Sequence, residues 1–500
     1  MTISTAVDLG AVARVVGIKT EYKDLRGGGI LFLPQRAAIV GQGSSASTYA
    51  TTKRQVTSAL EVGTLYGFGS PVHLAALQLF PVNGDGVGTI PVTIYPLDDD
   101  GSGAAAAGDI TPTVAQTVAA SYIVKINNIS SEAFVIPATG ATVATVVAQI
   151  TAAINANLDM PVIAADNIST DVTITSKWKG LSANDIVISV EGSLTAGTTF
   201  AFTQPVGGLV NPDITDALAQ VGNVWETMML NCLDLADTTT LDLYSTFGDG
   251  RWGALVRKPL VVFTGNPNAT VALATAVPDA RKTDKTNCAI PSPGSDDLPF
   301  VTAARALARA IVLAANNPAH DYGSQDLTGL TPGTDGEQWT TTERDVAVKA
   351  GSSTIQVKDS VVNMSDTITF YHPTGDPIPA YRFVVDIVKL QQVIFNLDLE
   401  FATAKWDGAP LIPDDQPTVN PDAKKPKTAV AAAASIVDSL GLNAILSDTK
   451  STIPDIVAGI NSQNPKRLDM VVPVKLSGNT NIISIDLDFG FNFGVDTIVA

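Results

Sequence analysis

The spacing of hydrophobic and polar residues changes several times along this chain of 500 residues. Short, continuously apolar runs are typical of strands that are buried on both faces of a sheet. Four such runs occupy residues 37–40, 89–95, 227–233 and 259–263. Segments with helical spacing come between or after them, at residues 70–80, 212–222 and 298–315. Because strands and helices alternate in this way, we predict an α/β core.

This pattern is interrupted between about residues 110 and 205. One helix is marked there by an apolar stripe made of Val143, Val146, Val147, Ile150 and Ile154. Strand-like runs surround this helix, at residues 121–126, 161–165, 171–175 and 185–192. The mixture predicts a small inserted α+β domain over residues 109–204.

The chain is therefore expected to contain several domains. Residues 1–25 hold no convincing helical spacing and are interpreted as an extended arm, and a hairpin-like stretch occupies residues 353–371. The predicted parts are an N-terminal linking arm (1–25), an α/β core (26–108 with 205–330), the inserted domain (109–204), a variable hairpin region (331–380) and a C-terminal domain (381–500).

The most regular alternation lies near the C-terminus, in ISIDLDFGFNFG (483–494). Polar residues or glycine separate its large apolar residues, which are Ile483, Ile485, Leu487, Phe489, Phe491 and Phe493. Period-two alternation predicts a strand with one apolar face. We predict a hairpin in which residues 468–476 pair with 482–494. Pro473 cannot donate a ladder hydrogen bond, so the first strand would be an edge strand or bulged there. Since a two-stranded ribbon exposes its apolar face, further structure must cover it.

Composition and charge narrow the possible functions. Hydrophobic residues make up 45% of the chain and charged residues 16%, which suits a folded protein with much covered surface. Acidic residues outnumber basic ones 49 to 31, for a net charge of −18. This balance argues against direct nucleic-acid binding. We read neither a secretory signal nor a membrane-spanning run, so we expect a soluble protein without stable membrane insertion.

One compact basic patch stands out in this acidic chain. Lys424, Lys425 and Lys427 form KKPK directly before residues 429–441, an alanine-rich stretch that ends in glycine and predicts a helix. Two interpretations remain open, namely a solvated loop and a docking site for an acidic partner surface.

Motifs for catalysis or for a bound cofactor are sparse. GQGSSA (41–46) follows a buried strand, but a lone glycine pattern without the later acidic residue favours an ordinary strand-to-helix turn. Asp98 and Asp100 begin a partial calcium-loop pattern, for which we favour an acidic turn. The three histidines occur in unrelated contexts, and no serine lies in G-x-S-x-G. We therefore expect no enzymatic activity, no cofactor and no metal.

The order of these pieces resembles the contractile tail sheath proteins of Mu-like bacteriophages. The resemblance covers about residues 30–320, and the stretch 468–494 is similar to the family's C-terminal end, whereas residues 330–425 match less well. The matching stretches include RAAIVGQGS, YGFGSPVHLAALQLFPVN, TIPVTIYPL, AINANLDMPVIAADNISTDVTITSKWKGLSANDI, GGLVNPDITDAL, DGRWGALVRKPLVVFTG and AIPSPGSDDLPFVTAARALA.

The resemblance implies a structural subunit of a contractile tail sheath, with a multi-domain sheath-type fold. Identical subunits would form helical rings around a tail tube and contract to drive the tube through the host envelope for genome delivery. Expected partners are further copies of the chain, the tail tube protein, and baseplate and tail terminator proteins. The subunit would be assembled in the cytoplasm of the host bacterium and would end in the virion.

The family also implies strand exchange between neighbouring subunits. Linking strands would come from residues 1–25 and from about 483–500. The expected inter-subunit residues are Ile483, Ile485, Leu487, Phe489, Phe491, Phe493 and Val495, and Lys424, Lys425 and Lys427 form a candidate patch facing the tube.

Two other function classes compete with this hypothesis. A virion surface or adhesin-like protein would use the inserted domain to bind a ligand; the lack of a secretion signal argues against a secreted adhesin, although a virion decoration protein needs none. A hydrolase on the α/β core would need a catalytic motif that the sequence does not offer.

Overall fold

The computed structural model describes residues 30–82, 84–168, 170–193, 197–375 and 381–491. Contacts divide the chain into two compact units. The large unit comprises Phe32–Ile394 and Leu476–Ala500, and the small unit comprises Met1–Leu31 and Phe395–Lys475. This division does not test the five parts expected from the sequence, which stay predictions.

Strands and helices are numbered in chain order. The strands are β1 (Ala37–Gln42), β2 (Arg54–Val56), β3 (Val92–Leu97), β4 (Ala105–Thr113), β5 (Ala120–Ile126), β6 (Ile129–Ser130), β7 (Phe134–Ile136), β8 (Val162–Asn167), β9 (Asp171–Lys179), β10 (Ile188–Gly192), β11 (Thr199–Val206), β12 (Met228–Asn231), β13 (Val261–Asn266), β14 (Asn287–Pro291), β15 (Thr354–Lys358), β16 (Val361–Asp366), β17 (Val457–Ile460) and β18 (Leu468–Val471). The helices are α1 (Ala59–Tyr66), α2 (Pro71–Leu79), α3 (Val143–Ala156), α4 (Thr215–Val221), α5 (Thr238–Trp252), α6 (Val271–Asp279), α7 (Pro299–Asn316), α8 (Thr341–Lys349), α9 (Val384–Phe401), α10 (Pro426–Leu442) and α11 (Thr449–Thr452). Short 3₁₀ helices occupy Leu181–Asp185 and Ile453–Asp455.

A six-stranded sheet forms the centre of the large unit. Its strand order is β14-β13-β12-β1-β3-β2, and all neighbours are parallel except the edge strand β2, which is antiparallel to β3. Every residue of β1, β3, β12, β13 and β14 is buried. Parallel strands need cover on both faces because the connecting helices return across them. The α/β core predicted from the continuous apolar runs is confirmed.

The two faces of this sheet belong to different hydrophobic clusters. Ala37 and Ile39 of β1 pack in one cluster together with residues of α2 and α7. Ala38 and Val40 point the other way and pack with residues of α4 and α5. This alternation follows from the pleat of a strand, in which successive side chains leave on opposite faces. The predicted helices at 70–80, 212–222 and 298–315 correspond to α2, α4 and α7.

Between β3 and β12 the chain forms two further four-stranded sheets. One contains β10, β5, β6 and β7, and the other has the order β11-β4-β9-β8. Helix α3 buries Val146, Val147, Ile150 and Ile154, four of the five residues of the predicted stripe. These elements fall in the region for which an inserted domain is expected, and that domain remains a prediction.

None of the helices in the described parts of the chain combines the length and the apolarity needed to cross a membrane. One of the two longest, α7, buries apolar residues around most of its circumference within the large unit.

The close packing of α7 on β13 generates a testable prediction. A Cβ added to Gly265 would collide with the backbone of Pro299 and Phe300 in the first turn of α7. Gly265→Ala should therefore lower the free energy of unfolding by roughly 2–3 kcal/mol, because backbone atoms cannot move aside. Urea-induced unfolding followed by circular dichroism measures the change.

Gly250 is the matched control, since it is an exposed glycine within α5 with open space where a Cβ would stand. Gly250→Ala should raise stability by about 0.5–1 kcal/mol through higher helix propensity. Equal effects of the two substitutions would show that the close approach of α7 to β13 is wrong.

Candidate assembly surfaces

The C-terminal segment 482–491 presents a continuous apolar strip to solvent. Its large apolar side chains are exposed by 75% to 88%, and they are Ile482, Ile483, Ile485, Leu487, Phe489 and Phe491. The rings of Phe489 and Phe491 contact each other edge to face, with centroids 6.2 Å apart. Contiguous exposed apolar residues make this segment a candidate interaction site, because folded proteins rarely leave such patches uncovered.

The predicted C-terminal hairpin is wrong. Strand β18 pairs antiparallel with the preceding strand β17, from Val457 opposite Val471 to Ile460 opposite Leu468. In the described part of the segment, residues 477–491 belong to no helix or strand. β18 ends before Pro473, which cannot donate a ladder hydrogen bond.

A turn stabilised by an asparagine side chain explains why β18 pairs with β17, the strand that precedes it in the chain. The side-chain oxygen of Asn461 accepts hydrogen bonds from the backbone N–H groups of Gln463 and Asn464. The backbone N–H of Arg467 donates to the carbonyl of Asn464. Asparagine side chains commonly stabilise turns in this way. The loop that they form returns the chain directly from β17 to β18.

Both strands of the β17–β18 ribbon are edge strands in the described part of the small unit. Neither strand has a second partner strand among the residues that the structure describes. Val457 is 57% exposed and Val471 62% exposed, at opposing positions of the ladder. Unpaired strand edges are templates for pairing with another chain, and a two-stranded ribbon is marginal without further strands.

The basic patch surrounds the start of α10. Lys425 precedes the helix, and its Nζ donates to the carbonyls of Gln416 at 2.5 Å and Asp414 at 3.4 Å. Lys427 is exposed, and its Nζ lies 3.4 Å from the Asp414 carbonyl. Lys424 is half-buried, with its Nζ 6.0 Å from the centre of the Trp406 ring. The structure thus places the three predicted lysines together where the loop meets the first turn of α10.

The lysines lie at the N-terminal end of α10, where the helix dipole is unfavourable for positive charge. The N-terminal end of a helix carries partial positive charge and favours acidic side chains. No acidic residue lies in the first turn of α10, whereas Lys425 and Lys427 flank Pro426 there. The helix dipole therefore does not account for the lysines. The acidic group at this end of α10 is Asp414, whose carboxylate accepts a hydrogen bond from the backbone N–H of Lys427, and an external acidic partner for the lysines stays a prediction.

Internal side chains fill the space around GQGSSA (41–46), the stretch whose glycine pattern resembles a dinucleotide-binding turn. The Tyr49 hydroxyl accepts a hydrogen bond from the backbone N–H of Gly43 and donates to the carbonyl of Leu97. A Cβ on Gly43 would overlap the Tyr49 ring. The segment leads from β1 to strand β2, so the predicted strand-to-helix turn is wrong, and the packing of Tyr49 leaves no open cradle at Gly43.

The acidic turn near residues 98–100 is also bonded internally. Asp99 accepts hydrogen bonds from Gln42, Ser45 and the backbone of Lys179. Bonds from the backbone and hydroxyl of Ser102 lower the pKa of Asp100. Among the described residues, no group of three or more histidine, cysteine or acidic side chains is placed to hold a metal ion.

Sequence reasoning did not identify the buried polar side of α9. Asp386, Lys389, Gln391 and Gln392 are each less than a tenth exposed. The available signal was a lone lysine between apolar residues in VVDIVKLQQVIF, which resembles an ordinary amphipathic helix when read alone.

Two expected features lie outside the described residues. These are the N-terminal linking arm, 1–25, and the part of the C-terminal strand that contains Phe493 and Val495. Their place in the assembly stays a prediction.

Comparison of sequences identifies a relative of this chain. The tail sheath protein of the Mu-like prophage FluMu from Haemophilus influenzae is 25% identical over 370 residues, which cover 72% of this chain and 71% of the relative. No family model matches the chain.

Solved structures with a similar course of the chain include two sheaths. A sheath tail protein from Listeria innocua has a TM-score of 0.49 and 13% identity, covering 90% of this chain and 94% of its own. The contracted helical sheath of the anti-feeding prophage has a TM-score of 0.45 and 10% identity, covering 96% and 99%. Both TM-scores lie below 0.5, so neither structure indicates a function for this chain.

Proposed function

We propose that this chain, a tail sheath protein related to those of Mu-like bacteriophages, polymerises around a tail tube and contracts to drive that tube through a host envelope. The resemblance to the sheath family is confirmed, and the relative over 72% of the chain is the observation that carries the functional assignment. No comparison supports the alternative of an adhesin-like surface protein.

Strand exchange is the mechanism that we propose for linking the subunits. The C-terminal segment from Ile483 onwards, continuing through Phe493 and Val495, would add to a strand edge of another copy. The β17–β18 ribbon suits the role of acceptor because both of its strands are edge strands among the described residues of its unit. Residues 1–25 would supply a second linking strand. Main-chain hydrogen bonds give strength to such a joint, and alternating side chains fix its register.

The free energies of apolar burial and of backbone ordering favour a segment that becomes ordered only when it pairs with a partner strand. Burying the five exposed apolar side chains on one face of the strand, at the odd-numbered positions from 483 to 491, would contribute roughly 8–15 kcal/mol. Fixing the backbone of the same segment costs about 10–20 kcal/mol. Since the two terms nearly cancel, the segment does not order by its apolar residues alone. Hydrogen bonding to a neighbouring strand would supply the remaining stabilisation.

Surface burial is the energy source that we propose for contraction. An additional ~100 Å² of buried apolar surface per subunit would contribute roughly 2.5 kcal/mol, which a long lattice multiplies. The extended state would be trapped kinetically by contacts to the tube and the baseplate. Because each chain carries a net charge of −18, neighbouring subunits repel, and assembly should become easier as salt screens this repulsion.

The remaining parts of the proposal concern placement in the particle. Residues 109–204 would form an outward-facing domain, and the basic patch would face the tube. Further partners would be baseplate and tail terminator proteins. The subunit would be a virion component, assembled in the host cytoplasm, with a mechanical rather than a catalytic role.

Removal of the C-terminal segment tests strand exchange. A chain lacking residues 483–500 should keep the circular dichroism spectrum and the melting temperature of the full chain, because the described side chains removed are exposed. It should form no tubes in negative-stain electron microscopy, whereas the full chain should form them. Ordered tubes of the truncated chain would refute the linking role.

A matched pair of point variants separates the two faces of the segment. Leu487→Lys places a charge on the apolar face, and Asp486→Lys places the same side chain on the polar face. We expect Leu487→Lys to raise the critical concentration for tube assembly about tenfold or more, since a buried charge is costly. Asp486→Lys should change it by less than about twofold. Equal effects would contradict an alternating, half-buried strand.

Charge reversal tests the basic patch. Lys424→Glu together with Lys427→Glu should weaken co-sedimentation of the subunit with purified tail tubes several-fold, because like charges would then face each other. The control is Lys450→Glu with Lys466→Glu, which changes the net charge equally at two exposed positions of the same unit. Equal binding of both variants would assign the patch to a solvated loop.

A further inference from the structure

A fully buried lysine lies where the C-terminal segment leaves the large unit. The Lys389 side chain, on α9, has no exposed surface, and lysine is almost never fully buried unless it is paired. Its Nζ donates to the Asp386 carboxylate at 3.1 Å, to the backbone carbonyl of Ser477 at 2.6 Å and to the Asn479 side-chain oxygen at 2.6 Å. An ammonium group has three N–H donors, so these acceptors satisfy all of them.

Asn479 extends the connection to a second part of the large unit. Its oxygen accepts from Lys389, and its amide nitrogen donates to the carbonyl of Ala319 at 2.8 Å, just beyond the end of α7. The two bonds define the orientation of the amide, since only the nitrogen can donate. Residues 477–479 are therefore held both to α9 and to the loop after α7.

Two acidic side chains, Asp386 and Asp321, interact electrostatically with the Lys389 ammonium group. Burial raises the pKa of Asp386 and of Asp321, and the nearby ammonium acts in the opposite direction on both. A buried charge that lost its acceptors would be costly, because the low-dielectric interior offers no water to replace them. Lys389 and the backbone of 477–479 thus depend on each other.

We propose that Lys389 is the positioning residue that fixes the root of the C-terminal segment, and so sets the point from which the linking strand departs toward the neighbouring subunit. The anchoring rests on the hydrogen bonds above, and the assembly role rests on the proposed function.

The anchor would aid assembly by limiting where the strand can go. Residues 480–491 can span at most roughly 40 Å when extended. A fixed root keeps the far end of this segment within that distance of the anchor. The effective concentration of the strand near its acceptor is therefore higher. A loose root would enlarge the volume to be searched and add to the ordering cost of each joint.

Limited proteolysis of the full chain measures the anchor independently of assembly. Trypsin cleavage after the exposed Lys475 requires the following residues to leave their positions, and such cleavage reports the population of the locally opened form. In Lys389→Met, and separately in Asn479→Ala, we expect the fragment beginning at Leu476 to appear at least about tenfold faster. The double variant should be cleaved at least as fast as either single variant, because Asn479→Ala also removes the hydrogen bond to Ala319 that Lys389→Met leaves in place.

Two control variants carry the same substitutions elsewhere. Lys349→Met removes an exposed pair with Asp345 on α8, and Asn481→Ala changes an exposed side chain just beyond the anchor. Both should leave the cleavage rate after Lys475 within about twofold of the original chain. Asn479→Ala alters no helix or strand, so it keeps the test valid if Lys389→Met does not fold.

Tube assembly provides the second readout. The anchor variants should raise the critical concentration for assembly about tenfold, with both controls unchanged. Unchanged cleavage after Lys475 in both anchor variants would overturn the anchor. Faster cleavage with an unchanged critical concentration would overturn its role in assembly. If the original chain forms no tubes, the proposed function fails, and the cleavage rates still decide whether Lys389 holds the root.

Discussion

Extended backbone needs hydrogen-bond partners, and this requirement connects the main features of the chain. The apolar strip at 482–491 has the alternation of a half-buried strand but lies exposed and outside any sheet of the described structure. The β17–β18 ribbon has the complementary condition, because both of its strands are edge strands among the described residues of its unit. A polymer in which copies exchange strands satisfies both conditions with the same hydrogen bonds.

Such a joint requires a rigid body behind it. The six-stranded sheet provides one, because its five parallel strands are buried along their whole length between helices on both faces. Within the same unit, Lys389 of α9 and Ala319 of the loop after α7 both hold the start of the C-terminal segment, through hydrogen bonds to Ser477 and Asn479. Movement of the body would therefore be passed to the linking strand at a defined point.

Much of the core could be predicted because its signals are local. Continuous apolar runs predicted four of the five parallel strands, but not β14, and the apolar stripe of α3 was recognisable at helical spacing. Helix α5 was not predicted, since TTTLDLYSTFGDGRW is polar and contains two glycines. Its stability comes from tertiary packing of Leu241 and Tyr244 and from the cap in which Asp237 accepts from the backbone of Thr240.

The assembly surfaces could be predicted only in part. Alternation shows that a segment suits a strand but does not show which strand it pairs with, so the hairpin of 468–476 with 482–494 was wrong. The lysines of the basic patch are adjacent in sequence and were found directly. The contact of Lys389 with Ser477 and Asn479 joins residues far apart in the chain, and no local pattern reveals it.

The most direct test is a cryo-electron microscopy map of assembled tubes at a resolution that traces the backbone. The account predicts that residues 483–491 form a strand whose main chain is hydrogen-bonded to a different copy of the protein. A map in which this segment pairs within its own chain, with subunits joined by other surfaces, would contradict it.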